Sequence, residues 1–362
     1  MVGANVDVPR VLEALRQVEE PELHQDIVSL NMVKDVAVSG STVSLTFQLT
    51  TPACPYKSEI ENSIRGELLK LDGIQDVQIR LESSVPKSRD MQGRASIPGV
   101  KNIVAVASGK GGVGKTTLAV NLAVALQQMG AAIGLMDADV YGPNVPRMMG
   151  VQGSPRAVGE RILPLEGYGI RLMSMGFLNP GDRPLIWRGP MLHSVIQQFL
   201  RNVDWGDLDY LILDLPPGTG DVQLSLTQTV PLTGGVVVTT PSDVALEDAR
   251  KAVEMFRQVK VEVLGIVENM SYFLCPHCSH RIEIFSHGGG ERTSQEFGVP
   301  FLGEVALDPK VRAGGDIGSP VAARGPQAPE AQSFYDIARK VAARVSVVDL
   351  TAPPEELITI RP

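Results

Sequence analysis

Residues 103–117 read IVAVASGKGGVGKTT. An apolar run of strand character ends in a glycine-rich turn, and an amphipathic helix begins. The pattern G-x4-G-K-T is met by Gly109, Gly114, Lys115 and Thr116. Strand, loop and helix in that order are the context a phosphate-binding loop requires. Without side chains at the glycines, backbone N–H groups can turn toward phosphate oxygens, and the helix N-terminus adds partial positive charge. Gly109, Lys110, Gly111, Gly112, Val113, Gly114, Lys115, Thr116 and Thr117 therefore form the expected nucleotide cradle. Lys115 is expected to reach the β- and γ-phosphates, and the Thr116 hydroxyl to sit on Mg²⁺.

The same rhythm continues outward. Short β-branched runs such as YLILDL, GGVVVTTP and EVLGIVEN alternate with helical stretches at 115–129 and 244–258. Apolar strands alternating with helices predict a doubly wound, mostly parallel α/β sheet covered on both faces. Ligands of such sheets bind beyond the C-terminal strand ends. GLMDADVYGPN offers Asp137 as an outer-sphere partner of Mg²⁺ and Asp139 as the residue that positions water. YLILDLPPGTGD offers Asp214 as the Walker B carboxylate and Gly218 as a switch amide for the γ-phosphate. No N-K-x-D guanine signature occurs, and Asn269, ending IVEN, is placed to read adenine with its side-chain amide. ATP is the expected nucleotide. Phe334, Ile337, Ala338, Val341 and Val345 mark one apolar helix face, expected to dock on the sheet.

Upstream the pattern differs. Val11, Leu12, Leu15 and Val18 have helical spacing, Val36 and Val38 suggest a strand, and Val43, Leu45, Phe47 and Leu49 alternate as a strand does. Ile60, Ile64, Leu68 and Leu71 return to helical spacing, and Val77, Ile79 and Leu81 alternate again. The order α-β-β-α-β describes a small α+β domain over 1–81. Residues 82–99 lack any apolar period and read as a flexible linker. The ATPase domain follows over 100–362.

Composition narrows the class. The 362 residues are 43% hydrophobic with a net charge of −8, a poor balance for binding nucleic acid. No apolar run reaches the ~20 residues that span a bilayer, and MVGANVDVPR has no signal-peptide pattern. Three cysteines are too few for a disulfide framework, so a reducing cytoplasm is expected.

Two of those cysteines stand in YFLCPHCSHRI at 272–282. Cys275 and Cys278 grip a metal from one side only. With His280 and His287 they match a Cys₂His₂ zinc site. Shared across a two-fold axis, they supply four thiolates for an iron–sulfur cluster. The spacing suits both. His277 and His280 otherwise read as solvent-facing loop residues. Cys54, between Pro52 and Pro55 at a strand–helix junction, is expected to have a lowered pKa from the helix N-terminus. That makes it a candidate transfer thiol, although a plain turn residue fits as well.

Lys110 gives the loop a second lysine, G-K-G-G-V-G-K-T-T, which resembles the deviant Walker A motif of the nitrogenase iron protein, MinD and ParA. In that family the extra lysine crosses a dimer interface to the partner's nucleotide, supplying charge in trans. With DADVYGPN, DLPPGTGD and VENMSYFLCPHC, residues 98–345 resemble the Mrp (ApbC-like) iron–sulfur carrier ATPases. DIVSLNMV and TTPACPY resemble a small domain of iron–sulfur assembly factors. The resemblance implies a homodimer that hydrolyses ATP and holds one [4Fe–4S] cluster on Cys275 and Cys278 of both protomers. It implies apo iron–sulfur proteins and a cluster-assembly scaffold as partners, and Asp26 as a polar neighbour of Cys54. A dimer required by the trans lysine favours the shared cluster. The rivals are a MinD/ParA-like positioning ATPase and a zinc-stabilised, nucleotide-dependent chaperone.

Overall fold

The computed structural model describes residues 6–88, 96–139, 142–178 and 189–351, without the side chains of 189–193 and 221–222. Val140 and Tyr141 of DADVYGPN, the middle of the expected linker and the tail beyond 351 lie outside the described residues.

The N-terminal unit is the expected α-β-β-α-β: α1 (Val8–Leu15), β1 (Val33–Ser39), β2 (Thr42–Leu49), α2 (Lys57–Leu69) and β3 (Asp76–Ser83). A short antiparallel bridge of Glu19–Glu20 with Gln25–Asp26 lies between α1 and β1. β2 pairs antiparallel with β1 and parallel with β3. Val11 and Leu15 of α1, Ile60, Ile64 and Leu68 of α2, and Phe47 of β2 close one core.

The larger unit holds β4 (Val100–Ala107), α3 (Lys115–Gln128), β5 (Ile133–Asp137), β6 (Leu165–Gly167), β7 (Ile170–Ser174), α4 (Gly189–Asn202), β8 (Leu208–Asp214) and α5 (Asp221–Thr229). It continues through β9 (Gly234–Thr239), α6 (Asp243–Gln258), β10 (Val263–Asn269), α7 (Gly289–Phe297), β11 (Phe301–Val305), α8 (Pro309–Ile317) and α9 (Pro329–Thr351). The sheet order is β6-β7-β5-β8-β4-β9-β10-β11. Every pairing is parallel except that of β6 with β7. Both faces of the central strands are covered, which is why the middles of β4, β5, β8, β9 and β10 are apolar. Val104 and Val106 of β4 join the core with α3 and α9, while Ile103, Ala105 and Ala107 join the core with α4 and α6. Phe334, Ile337, Val341 and Val345 of α9 are buried on the first face, each contributing roughly 1.5–3 kcal/mol. No helix among the described residues is long and apolar enough to cross a membrane.

The small unit rests against the amino end of this sheet. Tyr210, near the start of β8, donates its hydroxyl to Thr51 Oγ1 at 3.2 Å, and Ala53 and Val85 join the core under α3 and α9. The stretch expected to be a flexible linker is anchored at its start. Asn102 Nδ2 donates to the Pro86 carbonyl at 2.9 Å and Ser88 N to that of Lys101 at 3.0 Å. Val85 and, at the other end, Ile97 supply the burial that a purely polar linker would lack.

Candidate functional site

The phosphate loop is held from below and behind. Gly109 abuts the backbone of α6: a Cβ there would fall 2.1 Å from the Asp248 carbonyl oxygen. Gly112 and Gly114 have φ of 80° and 86°, a left-handed backbone that favours glycine. Ser108 Oγ donates to the Lys110 carbonyl at 2.9 Å, which helps hold the loop's shape. Lys110, Gly111, Gly112, Gly114, Lys115, Thr116, Thr117 and Asp139 line one cleft of about 370 Å³.

Behind the loop, three side chains converge on Asp214. Lys115 Nζ lies 2.6 Å from Oδ1, and Thr116 Oγ1 donates to Oδ2 at 2.7 Å. Asp137 is the register partner of Asp214 in the neighbouring strand. Its carboxylate accepts from Ser174 Oγ at 2.9 Å and from the Asp139 amide at 3.0 Å. Burial and the charge of Asp214 hold the Asp137 carboxyl well above the usual carboxylate range, while Lys115 opposes them. One hydroxyl and two carboxylates are hard oxygen donors, a set that fits Mg²⁺.

Two expected contacts are arranged differently. Asn269 is 7% exposed, and its Nδ2 donates to the Val113 carbonyl at 2.8 Å. One N–H of the side-chain amide expected to read adenine thus braces the loop. A left-handed Gly114 makes room for it: a Cβ there would fall 2.0 Å from Asn269 Nδ2. The Gly218 amide donates to the Ser108 carbonyl at 2.9 Å, so it must leave that bond to serve a γ-phosphate.

Five residues beyond Asn269 lie Met270 to Leu274, and then the cysteine turn. Phe273–Leu274 pairs with Arg281–Ile282 in a small hairpin. Cys275 N donates to the His280 carbonyl at 3.0 Å and Ser279 N to that of Cys275 at 2.8 Å. Inside this turn the amides of His277 and Cys278 point at the Cys275 sulfur and lower its pKa, with the Cys278 side chain adding to the effect. Cys278 is exposed. His287, one histidine of the expected zinc alternative, instead has Nδ1 3.5 Å from Glu304 Oε1 and 2.9 Å from Arg281 Nη2.

A family profile described as a NUBPL iron-transfer P-loop NTPase, of the ParA group, matches residues 99–342. The chain belongs to this family of iron-transfer NTPases. A second profile, iron–sulfur cluster assembly protein, matches residues 9–81. An iron–sulfur cluster carrier protein of Synechocystis is 50% identical over 346 residues, 94% of this chain and 98% of its own length. The mouse iron–sulfur cluster transfer protein NUBPL is 49% identical over 261 residues, 71% of this chain and 82% of its own. Among solved structures, a nucleotide-binding protein from Archaeoglobus fulgidus in complex with ADP is 36% identical, with a TM-score of 0.57. That alignment covers 66% of this chain and 93% of the archaeal one. MinD from Pyrococcus furiosus, at 22% identity and a TM-score of 0.50 over 66% of this chain and 98% of its own, shares the fold.

In this iron-transfer NTPase Cys54 corrects the expectation of a reactive thiol. The amides of Tyr56 and Lys57 do lower its pKa, as a helix start should. Burial outweighs them, the carboxylates of Glu20 and Glu22 add to it, and the thiol is pushed up to about 11. Asp26, the polar neighbour that the resemblance implies, accepts from the amides of Val28 and Ser29 in its own turn.

The sequence reading also missed part of the cleft wall. Arg147, Met148, Arg312 and Asp316 line it, and Arg312 Nη1 bonds Asp316 Oδ2 at 2.6 Å. The available signal was Gly314-Gly315 inside a helical stretch. A Cβ on Gly315 would fall 3.1 Å from Met148 Cε, so the glycine lets α8 approach the helical turn Val145–Met148.

Proposed function

We propose that this chain is an ATP-hydrolysing carrier that holds a [4Fe–4S] cluster between two protomers of a homodimer and delivers it to apo-proteins. The observation that carries this reading is the turn at Cys275 and Cys278. It offers two thiols, one drawn toward thiolate by backbone amides, and a two-fold axis would complete the four thiolates a cluster takes. Three free cysteines suit a reducing compartment, and the proposal locates the carrier in the cytoplasm.

Hydrolysis follows from the loop. Lys115 exchanges Asp214 for the β- and γ-phosphates, and Asp139 orients the attacking water. Thr116 and Asp214 would hold Mg²⁺, with Asp137 behind them, and the ion would neutralise phosphate charge. Lys110 would act on the partner's nucleotide, where charge in trans stabilises phosphoryl transfer. A cluster-assembly scaffold would load the turn, and apo iron–sulfur proteins would receive the cargo.

The deciding test is protein purified without oxygen and reconstituted with iron and sulfide. The expected result is visible absorption with about four irons and four sulfides per dimer. One tightly held zinc per monomer without sulfide would replace this reading with the zinc-stabilised one.

A further inference from the structure

The cysteine turn sits on a hairpin with little core of its own. Its strands are two residues each, and isolated two-stranded hairpins are marginal in water. Leu274, Ile282, Ile284 and Phe285 are all exposed and Phe273 is only partly buried, so apolar packing does little to fix its orientation. Arg281 makes the polar link instead. Its guanidinium lies 4.0 Å from the Tyr272 ring centroid. Nη2 donates to Glu304 Oε2 at 3.0 Å and lies 2.9 Å from His287 Nδ1. Glu304 belongs to β11 and is the register partner of Glu268, beside Asn269 at the end of β10.

Glu268, His287 and Glu304 bring three ligand-type atoms within 4.8 Å of one another, the outline of a cation site. A guanidinium already serves there. Arg281 balances Glu304, and Glu268 accepts from Ser271 Oγ and from the Gly290 amide, each at 2.6 Å.

We propose that Arg281 is a positioning residue that clamps the Cys275–Cys278 turn onto the carboxyl end of the sheet. The turn then moves with the strand end whose Asn269 braces the phosphate loop. Main-chain bonds continue the path: Ser271 N donates to the Val305 carbonyl at 3.0 Å and Leu307 N to that of Tyr272 at 2.7 Å. A site shared by two copies gains most from such a clamp, because each turn must otherwise be ordered when the cargo binds. The consequence for cargo rests on the carrier reading; the clamp itself does not.

The test is hydrogen exchange read by mass spectrometry on the full-length protein without cargo. Arg281→Ala should speed exchange at Cys275 and Ser279 about tenfold, the scale of losing a charge-assisted hydrogen bond and a cation–π stack. Arg281→Lys, which retains charge but not the planar stack, should give about a third of that factor. Amides of β4 should be unchanged, and ATP hydrolysis should stay within about twofold. Reconstituted cluster should pass to a chelator faster in Arg281→Ala by a similar factor. If Arg281→Ala yields little folded protein, Tyr272→Leu removes the stack while keeping an apolar side chain, and faster exchange at the same two amides is expected. Unchanged exchange at those amides in a folded variant overturns the clamp. Faster exchange in a protein that takes up zinc and no sulfide supports the clamp and overturns the carrier reading.

Discussion

Lys115 Nζ lies 2.6 Å from Asp214 Oδ1, with the two side chains 5% and 0% exposed. The loop lysine is therefore a buried cation paired with a buried carboxylate. It faces Asp214 directly and offsets the repulsion between Asp214 and Asp137. In the proposed function Lys115 turns to phosphate, which removes the cation beside Asp214 and Asp137 until Mg²⁺ takes its place. Sequence reasoning assigned Lys115 to phosphate and did not foresee this pairing with Asp214.

Lys115→Ala is expected to abolish ATP hydrolysis and also to destabilise the nucleotide-free protein. Removing one partner of a buried pair leaves the other uncompensated, at a cost of about 3 kcal/mol. Urea unfolding without nucleotide measures this. Equal midpoints and slopes for variant and wild type would show that the pair contributes nothing.

Asp137 sets the sign of a pH dependence. Its folded pKa is raised, so above its unfolded value near 4 the folded state keeps a proton that the unfolded chain has released. Stability from this group is complete below about pH 4 and declines as pH rises through the folded value, by at most about 1.4 kcal/mol per pH unit. Asp137→Asn mimics the protonated form, whose single donor can turn to Ser174 Oγ. Without nucleotide, the stability of Asp137→Asn relative to wild type should grow from pH 5 to pH 8. Parallel curves across that range would contradict the raised pKa.

Lys110 lines the cleft at the surface of the loop, and Lys110→Ala is expected to lower turnover more than ATP affinity. Mixing it with Lys115→Ala tests action in trans. Each heterodimer then holds one site with an intact Lys115 facing the partner's intact lysine. Random exchange should restore about a quarter of wild-type activity, half the dimers having one working site in two. No recovery where heterodimers demonstrably form would count against the trans lysine.

What was legible follows from what each pattern encodes. The α/β sheet was readable because its central strands, buried on both faces, have apolar middles, and Asp137 and Asp214 follow from strand ends. The small domain was readable because Val43, Leu45, Phe47 and Leu49 alternate where a single face is buried. The brace from Asn269 to Val113 was not, because it joins residues 156 apart and depends on the left-handed Gly114. Cys54 misled because a helix start is visible in sequence, whereas the burial of the thiol, and the approach of Glu20 and Glu22, arise only through the fold.

The Cys54 thiol, pushed up to about 11, should be the least reactive of the three. At pH 8 only about 0.1% of it is thiolate, against tens of per cent for an unperturbed cysteine. Alkylation of the native protein without cargo should modify Cys275 first and reach Cys54 only as pH climbs toward 11. Glu22→Gln should speed the Cys54 reaction at fixed pH by removing a nearby negative charge. Early modification of Cys54 at pH 8 would show an accessible, ionised thiol and contradict the raised pKa.

Cys275→Ala and Cys278→Ala should each abolish stable cluster binding while ATP binding persists. Either change leaves at most two turn thiolates per dimer, too few for four-thiolate ligation. The phosphate loop should be spared, because its brace from Asn269 to Val113 lies upstream of the turn and uses no sulfur. Cys54→Ala should leave the cluster bound, since Thr51, three residues before it, bonds Tyr210 near the start of β8 while the turn follows the far end of β10. The measurement is iron and sulfide content after anaerobic reconstitution, with nucleotide affinity in parallel. Full cluster content in Cys275→Ala would move the cargo site elsewhere, and loss of cluster in Cys54→Ala would require that thiol as a ligand.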